Sequence, residues 1–304
     1  MAAPCQQERA SFAIRPAASP ETVCAVCNIC AQPKMSGTFI EHERLFAVGP
    51  LMQKAVFSFT KSALFGFAFV ICWLLTGLQA VAQESSGLRG DPAAVADAIS
   101  MVETMGGLVV WRDLESIHFV HEWDIVNRPD RYLENEILDL TGPRSYVTMK
   151  SEIYQRTRAY SPEYRYWNIV NGEFSYASDE SLANAMERAP YNLYRLACAI
   201  AGGNSNLEVR FGVIKDVPGP QALEFVGPDG EAHGWVVLNA RKEPVIWATT
   251  QYVYAFGPLK RFGNLLVPVW GTTNHGLVRY ELLSVTGSDK RPELNLFAPP
   301  ENAE

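Results

Sequence analysis

From residue 83 to its end the chain has a single cysteine, Cys198. One thiol forms no internal disulfide, so this part must stand on its apolar core, and about 220 residues are enough to build one. It also lacks any basic cluster or stripe, with 29 acidic side chains against 20 basic ones. Nucleic acid is therefore not an expected partner, because neutralising phosphates needs grouped Lys and Arg. No Gly-x-Ser-x-Gly, no His-Glu-x-x-His and no Gly-rich phosphate loop occurs. The common signatures of serine hydrolases, zinc peptidases and P-loop enzymes are thus missing, and no cofactor is expected. There is no internal repeat.

One long uncharged apolar run is present, at residues 62–78. Lys54 and Lys61 precede it, and Ala80-Val81-Ala82 supplies small residues after it. A positive start, an apolar middle and an Ala-x-Ala end make the pattern of a secretory signal over residues 52–82. Cleavage after Ala82 would leave Gln83 as the new N-terminus and place the chain in the periplasm or outside the cell. A second reading of the same run is an inner-membrane anchor, since about 17 apolar residues sit at the lower limit for spanning a bilayer. Cys72 is not a lipidation site, because Val70-Ile71 stand where a small residue belongs. Residues 1–51 show neither helical nor strand periodicity and read as a disordered or mis-assigned extension, with translation starting at Met52. Within them, Cys24-x-x-Cys27-x-x-Cys30 resembles part of an iron–sulfur ligand run but lacks the fourth Cys-Pro, so no metal site is assigned there. Residues 83–304 then form one exported domain.

Asp91-Pro92 reads as the cap and first residue of a helix, with Val95, Ile99 and Val102 on one face and Gly106-Gly107 closing it. Residues 116–126 alternate as a strand, with Ile117, Phe119, His121, Trp123 and Ile125 on one side. Residues 132–140 and 145–160 are further strands, the second with a break. Asn171-Gly172 lies between two aromatic runs and predicts a tight hairpin. A helical interlude spans residues 181–201, interrupted at Pro190, with Leu193, Leu196, Ala197 and Ile200 as its second apolar stripe. Strands follow at 207–214, 222–226, 233–239, 245–252, 262–270 and 277–285, and residues 294–300 read as an extended tail. Segregated helices and strand runs indicate an α+β fold with helices on one face of an antiparallel sheet.

Met105-Gly106-Gly107, Trp111-Arg112, Ile117-His118-Phe119, Phe262-Gly263-Asn264-Leu265-Leu266-Val267-Pro268 and Phe297-Ala298-Pro299-Pro300 occur in an order that resembles the LolA-like superfamily of outer-membrane lipoprotein carriers. The resemblance implies a strongly curved antiparallel β half-barrel with helices packed on its concave side. It also implies an apolar cavity that holds an acyl chain or other hydrophobe without covalent chemistry. Six tryptophans lie beyond residue 83. If Trp123, Trp167, Trp235 and Trp247 turn to one concave face, they form the ligand wall together with Phe119, Ile169, Val237 and Leu266. The plainer alternative is that these rings only fill a core.

Other polar groups carry less. His118 and His121 point to opposite faces of a strand and cannot share a metal. His118, Glu122 and Asp124 share one face and read as solvated. Glu134/Glu136 and Asp179/Glu180 are carboxylate pairs that sequence cannot place across a cleft. Cys198 reads as a small buried thiol. The expected function is non-enzymatic binding of a lipid or other hydrophobic small molecule by a monomer, with an envelope protein as a further partner. The alternative is an exported enzyme acting on a glycan or another polar envelope substrate, favoured by a converging pair of buried carboxylates.

Overall fold

The computed structural model describes residues 87–301 apart from 205, 216, 218, 274 and 275. The signal at 52–82 and the extension at 1–51 lie outside the described residues. A short strand β1 (Arg89–Gly90) leads into helix α1 (Pro92–Thr104). The Asp91 carboxylate accepts a hydrogen bond from the Ala93 amide at 2.9 Å, the N-cap that its position predicts. Ala94, Val95, Ala98, Met101 and Val102 are its buried stripe. After Gly106-Gly107 a second helix α2 (Leu108–Arg112) follows, too short to show a period in sequence.

Six strands come next: β2 (Ser116–Ile125), β3 (Tyr132–Asp139), β4 (Ser145–Lys150), β5 (Gln155–Ser161), β6 (Arg165–Val170) and β7 (Glu173–Tyr176). The break expected within 145–160 is the turn between β4 and β5, where the Ser151 amide donates to the Tyr154 carbonyl. Asn171 and Gly172 have φ of 49° and 93°, as a two-residue hairpin turn requires. The helical interlude is α3 (Asp179–Arg188), a 3-10 turn (Ala189–Tyr191) holding Pro190, and α4 (Leu193–Ala201).

The remaining strands are β8 (Glu208–Gly212), β9 (Ala222–Val226), β10 (Ala232–Leu238), β11 (Pro244–Thr249), β12 (Val253–Phe256), β13 (Leu259–Phe262), β14 (Leu265–Pro268), β15 (Trp270–Thr273) and β16 (Val278–Ser288). Residues 262–270, expected as one strand, are divided. Gly263 takes φ 59° and turns β13 into β14, and the chain restarts as β15 only after Pro268. The tail is not extended: residues Leu294–Phe297 form a 3-10 turn. Phe297 is fully buried, and its carbonyl accepts from Trp167 Nε1 at 2.8 Å.

Among the described residues fourteen strands make one sheet in the order β1-β8-β9-β10-β11-β12-β15-β16-β2-β3-β4-β5-β6-β7, and β13 and β14 pair separately. All pairings are antiparallel except β1 with β8. The sheet is not closed, since β1 and β7 remain as edges, and it forms the α+β half-barrel expected from sequence. Its inner face carries the main core. Ile117 and Phe119 of β2 lie there with Leu223, Phe225, Val236 and Leu282, beneath Met101, Met105, Leu196 and Ile200 of the helices. Each such apolar side chain contributes about 1.5–3 kcal/mol when fully buried. Tyr194 of α4 links the layers, stacking on Trp111 at 6.1 Å and against Phe119 at 4.7 Å. Arg195, also on α4, donates to the carbonyls of Asp139, Ala189 and Arg144 at 2.8, 3.1 and 2.7 Å, tying the helix to the β3–β4 turn. No helix among the described residues is long and apolar enough to cross a membrane.

Candidate functional site

Where α3, the 3-10 turn and α4 cross the inner face, they leave a cavity of about 300 Å³ between the β2–β6 half of the sheet and strands β11, β12 and β16. Strand register decides what lines it. In β2 the odd residues Ile117 to Trp123 face inward, so packed core at Ile117 and Phe119 gives way to His121 and Trp123 in the cavity. His121 lies directly opposite Glu134 on β3, and Phe119 lies opposite Glu136. Glu136 is opposite Val147, which is opposite Arg158, which is opposite Asn168. Antiparallel partners project to the same side. The pairing therefore lays a polar diagonal, His121–Glu134–Glu136–Arg158, across the inner face.

The walls are aromatic. Trp123 stacks on Tyr132 at 6.0 Å and leans on Tyr280 at 5.0 Å. Trp247 packs against Tyr254 at 5.6 Å, and its Nε1 donates to the Tyr191 carbonyl at 2.7 Å, joining β11 to the helical roof. Tyr160, Tyr166, Tyr252 and Phe256 complete the ring of aromatics. Burial pushes the Tyr254 hydroxyl up to about 12, helped by Tyr252, Glu134 and Glu136. Burial likewise raises Tyr194 and Tyr280. At neutral pH these phenols are uncharged hydrogen-bonding groups.

The floor is charged. Glu134 is 3% exposed and His121 6% exposed, with 3.5 Å between His121 Nδ1 and Glu134 Oε1. Ser145 Oγ donates to Glu136 Oε1 at 3.0 Å. Burial opposes the charge on Arg158, but Glu134, Tyr166 and Glu136 outweigh it and hold the guanidinium above its ordinary range. His121 Nδ1 and Trp123 Nε1 are buried without a hydrogen-bond partner among the described residues. Together His121, Glu134 and Glu136 offer one nitrogen and two oxygens, all within 4.8 Å of one another.

Of the residues expected to form the ligand wall, Trp123 and Trp247 line the cavity and Phe119 packs behind His121, ring centroids 5.4 Å apart. Trp167 and Ile169 project from the other face of β6 into a separate cluster with Phe297. Trp235 and Val237 do the same from β10, where Trp235 Nε1 donates to Glu224 at 3.1 Å. Leu266 sits in the small β13–β14 hairpin, outside the cavity lining. A common face for all four tryptophans was the expectation. The register instead gives Trp167 and Trp235 the opposite parity from Trp123 and Trp247, because pairing between distant strands is not written in any one of them.

The polar floor went unassigned in the sequence, although one signal pointed to it. Glu134 and Glu136 share parity with Tyr132 and Leu138 in β3, so two acids stand on a face whose other members are buried. As expected, His118 points away from His121 and is exposed, and Glu122 and Asp124 of that outer face pair with Arg131 at 3.2 and 3.1 Å. Cys198 is half-buried, and burial pushes its thiol up to about 12, which suits packing and not attack.

No protein-family model and no curated protein matches the chain. Among solved structures it is similar to a DUF1329 family protein from Desulfovibrio piger, at a TM-score of 0.39 and 6% identity over 67% of this chain and 97% of that one. It is similar to an uncharacterized conserved protein from Thermus thermophilus, at 0.27 and 11% over 65% and 94%. It is also similar to a chain in the MucA/MucB complex of Pseudomonas aeruginosa, at 0.27 and 10% over 68% and 61%. These scores are too low to equate the folds, and the function of the cavity is read from its own residues.

Proposed function

We propose that the chain is an exported, non-enzymatic binding protein whose cavity takes a small amphiphile. The observation that carries this reading is the lining itself: an aromatic wall of Trp123, Trp247, Tyr254 and Tyr280 above a floor of Glu134, Glu136 and Arg158. The wall suits an apolar or flat body, gaining about 0.8 kcal/mol per buried CH₂. The floor suits a hydroxylated or amide head that donates to carboxylates and accepts from the guanidinium. The cavity is thus more polar than the wholly apolar pocket expected from sequence. Its volume of about 300 Å³ lies at the small end for ligand pockets, matching one short chain better than a multi-acyl anchor. The signal grammar of residues 52–82 and the resemblance to LolA-like carriers support a periplasmic or secreted setting.

The test is titration with monooctanoylglycerol, read by tryptophan fluorescence. The expected result is saturable quenching, with affinity falling about tenfold in Trp247→Ala, the equivalent of 1.4 kcal/mol. Quenching that does not saturate, or that Trp123→Ala and Trp247→Ala both leave unchanged, would refute the reading.

A second reading, an exported enzyme acting on a glycan, draws on the buried Glu134 and the half-buried Glu136. Glycoside hydrolysis needs carboxyl groups flanking the bond. These two stand two residues apart on one face of one strand, which favours binding over hydrolysis. Sugar release from envelope glycan that disappears in Glu136→Gln would reverse that preference.

A further inference from the structure

We propose that His121, Glu134 and Glu136 form a binding site for a divalent first-row metal ion, with zinc the best match. The inference does not rest on amphiphile uptake. A chain that binds zinc but no amphiphile would overturn only the function proposed above.

An unpartnered buried nitrogen gives the first reason. His121 lines the cavity beside Glu134 and Glu136, where Arg158, Arg188 and Arg195 also stand. Its Nδ1 stands 3.5 Å from Glu134 Oε1 and has no hydrogen-bond partner among the described residues, and the residue is 6% exposed.

Spacing gives the second reason. Ligand atoms about 2.1 Å from a tetrahedral zinc stand about 3.4 Å apart. The His121–Glu134 edge, at 3.5 Å, already has that length. All three ligand atoms lie within 4.8 Å of one another, so Glu136 needs only a small side-chain rotation. One imidazole with two carboxylates is a nitrogen–oxygen set suited to zinc or its first-row neighbours. Three protein ligands leave a fourth position open.

The surroundings give the third. Metal-bound carboxylates are normally held by outer partners. Ser145 Oγ donates to Glu136 Oε1 at 3.0 Å. Trp123, its ring 6.0 Å from that of His121, carries a buried and unpartnered Nε1–H. It is a donor suited to a water in the fourth position.

The test is isothermal titration of the full chain with zinc chloride. Cys5→Ser, Cys24→Ser, Cys27→Ser, Cys30→Ser and Cys72→Ser are introduced so that these thiols do not take the ion. Cys198 stays, since burial keeps its thiol protonated. The expected result is one saturable zinc site, a melting temperature higher with zinc than with EDTA, and affinity lower by tenfold or more in His121→Gln and in Glu136→Gln. Glu136→Gln preserves side-chain shape and decides the matter alone if His121→Gln does not fold. No saturable binding, or saturable binding that Glu136→Gln leaves unchanged, would overturn the site.

Discussion

Arg195 is 5% exposed and spends its guanidinium on three backbone carbonyls, not on a carboxylate. Replacing it with leucine removes a donor from all three, although the Arg144 and Ala189 carbonyls keep the Asp139 and Asn192 amides at 3.1 and 3.3 Å. Arg195→Leu is therefore expected to lower unfolding free energy by about 1–3 kcal/mol, measured by urea denaturation. A loss below about 1 kcal/mol would mean that water or a neighbour replaces the guanidinium. Tyr194, Tyr254 and Tyr280 make a second residue-scale prediction. Burial holds their hydroxyls above the ordinary value of 10, with Tyr254 pushed up to about 12. The unfolded chain then releases protons first as pH rises. The stability linked to these groups is complete below pH 10 and is lost as pH climbs toward 12. Melting temperature should fall over that window, and tyrosinate absorbance should lag behind that of the urea-unfolded chain. Identical absorbance titrations of folded and unfolded protein would contradict the burial of these rings.

At the level of elements, two glycines with positive φ separate backbone strain from steric clash. Gly172, φ 93°, has open space where a Cβ would stand, so Gly172→Ala carries only the conformational cost, about 1 kcal/mol. Gly106, φ 125°, would set a Cβ 2.6 Å from the Asn264 carbonyl, at the contact between the end of α1 and the β13–β14 hairpin. Gly106→Ala should cost clearly more than Gly172→Ala in the same denaturation assay, and equal costs would contradict that contact. The β4–β5 region carries an acid-sensitive tie. The Arg144 guanidinium beside Glu163 holds that carboxyl below its usual range. The contribution is present above the unfolded value of about 4.5 and fades as pH falls below it. Since the pair is exposed, the effect is small. Glu163→Gln should melt lower than wild type at pH 6 and match it near pH 3.

The same elements show what could be read in advance. The Asp91 cap, the Asn171-Gly172 turn, the stripe of α4 and the inward set of β2 are local signals, and each folds as its sequence says. The division of residues 262–270 and the 3-10 turn at Phe297 depend on contacts with distant partners, Met105 for the first and Trp167 for the second. The cavity was half legible. Trp123 could be placed from the alternation of its own strand, but its neighbours Trp247, Glu134 and Arg158 meet it only through the register of several pairings.

Over the whole molecule, an open fourteen-stranded sheet keeps one face for the core and leaves part of that face uncovered beneath a short helical roof. Helices pack over β2, β3, β8 and β9, yet aromatic rings and the carboxylates of Glu134 and Glu136 face a cavity with room for a small molecule. The most direct test is native mass spectrometry of the protein purified from its own cells without detergent, beside a sample extracted with organic solvent. The predicted result is a small bound mass in the native sample, absent after extraction and absent from Trp123→Ala. A clean protein mass in both samples, together with no uptake of monooctanoylglycerol, would contradict the binding function.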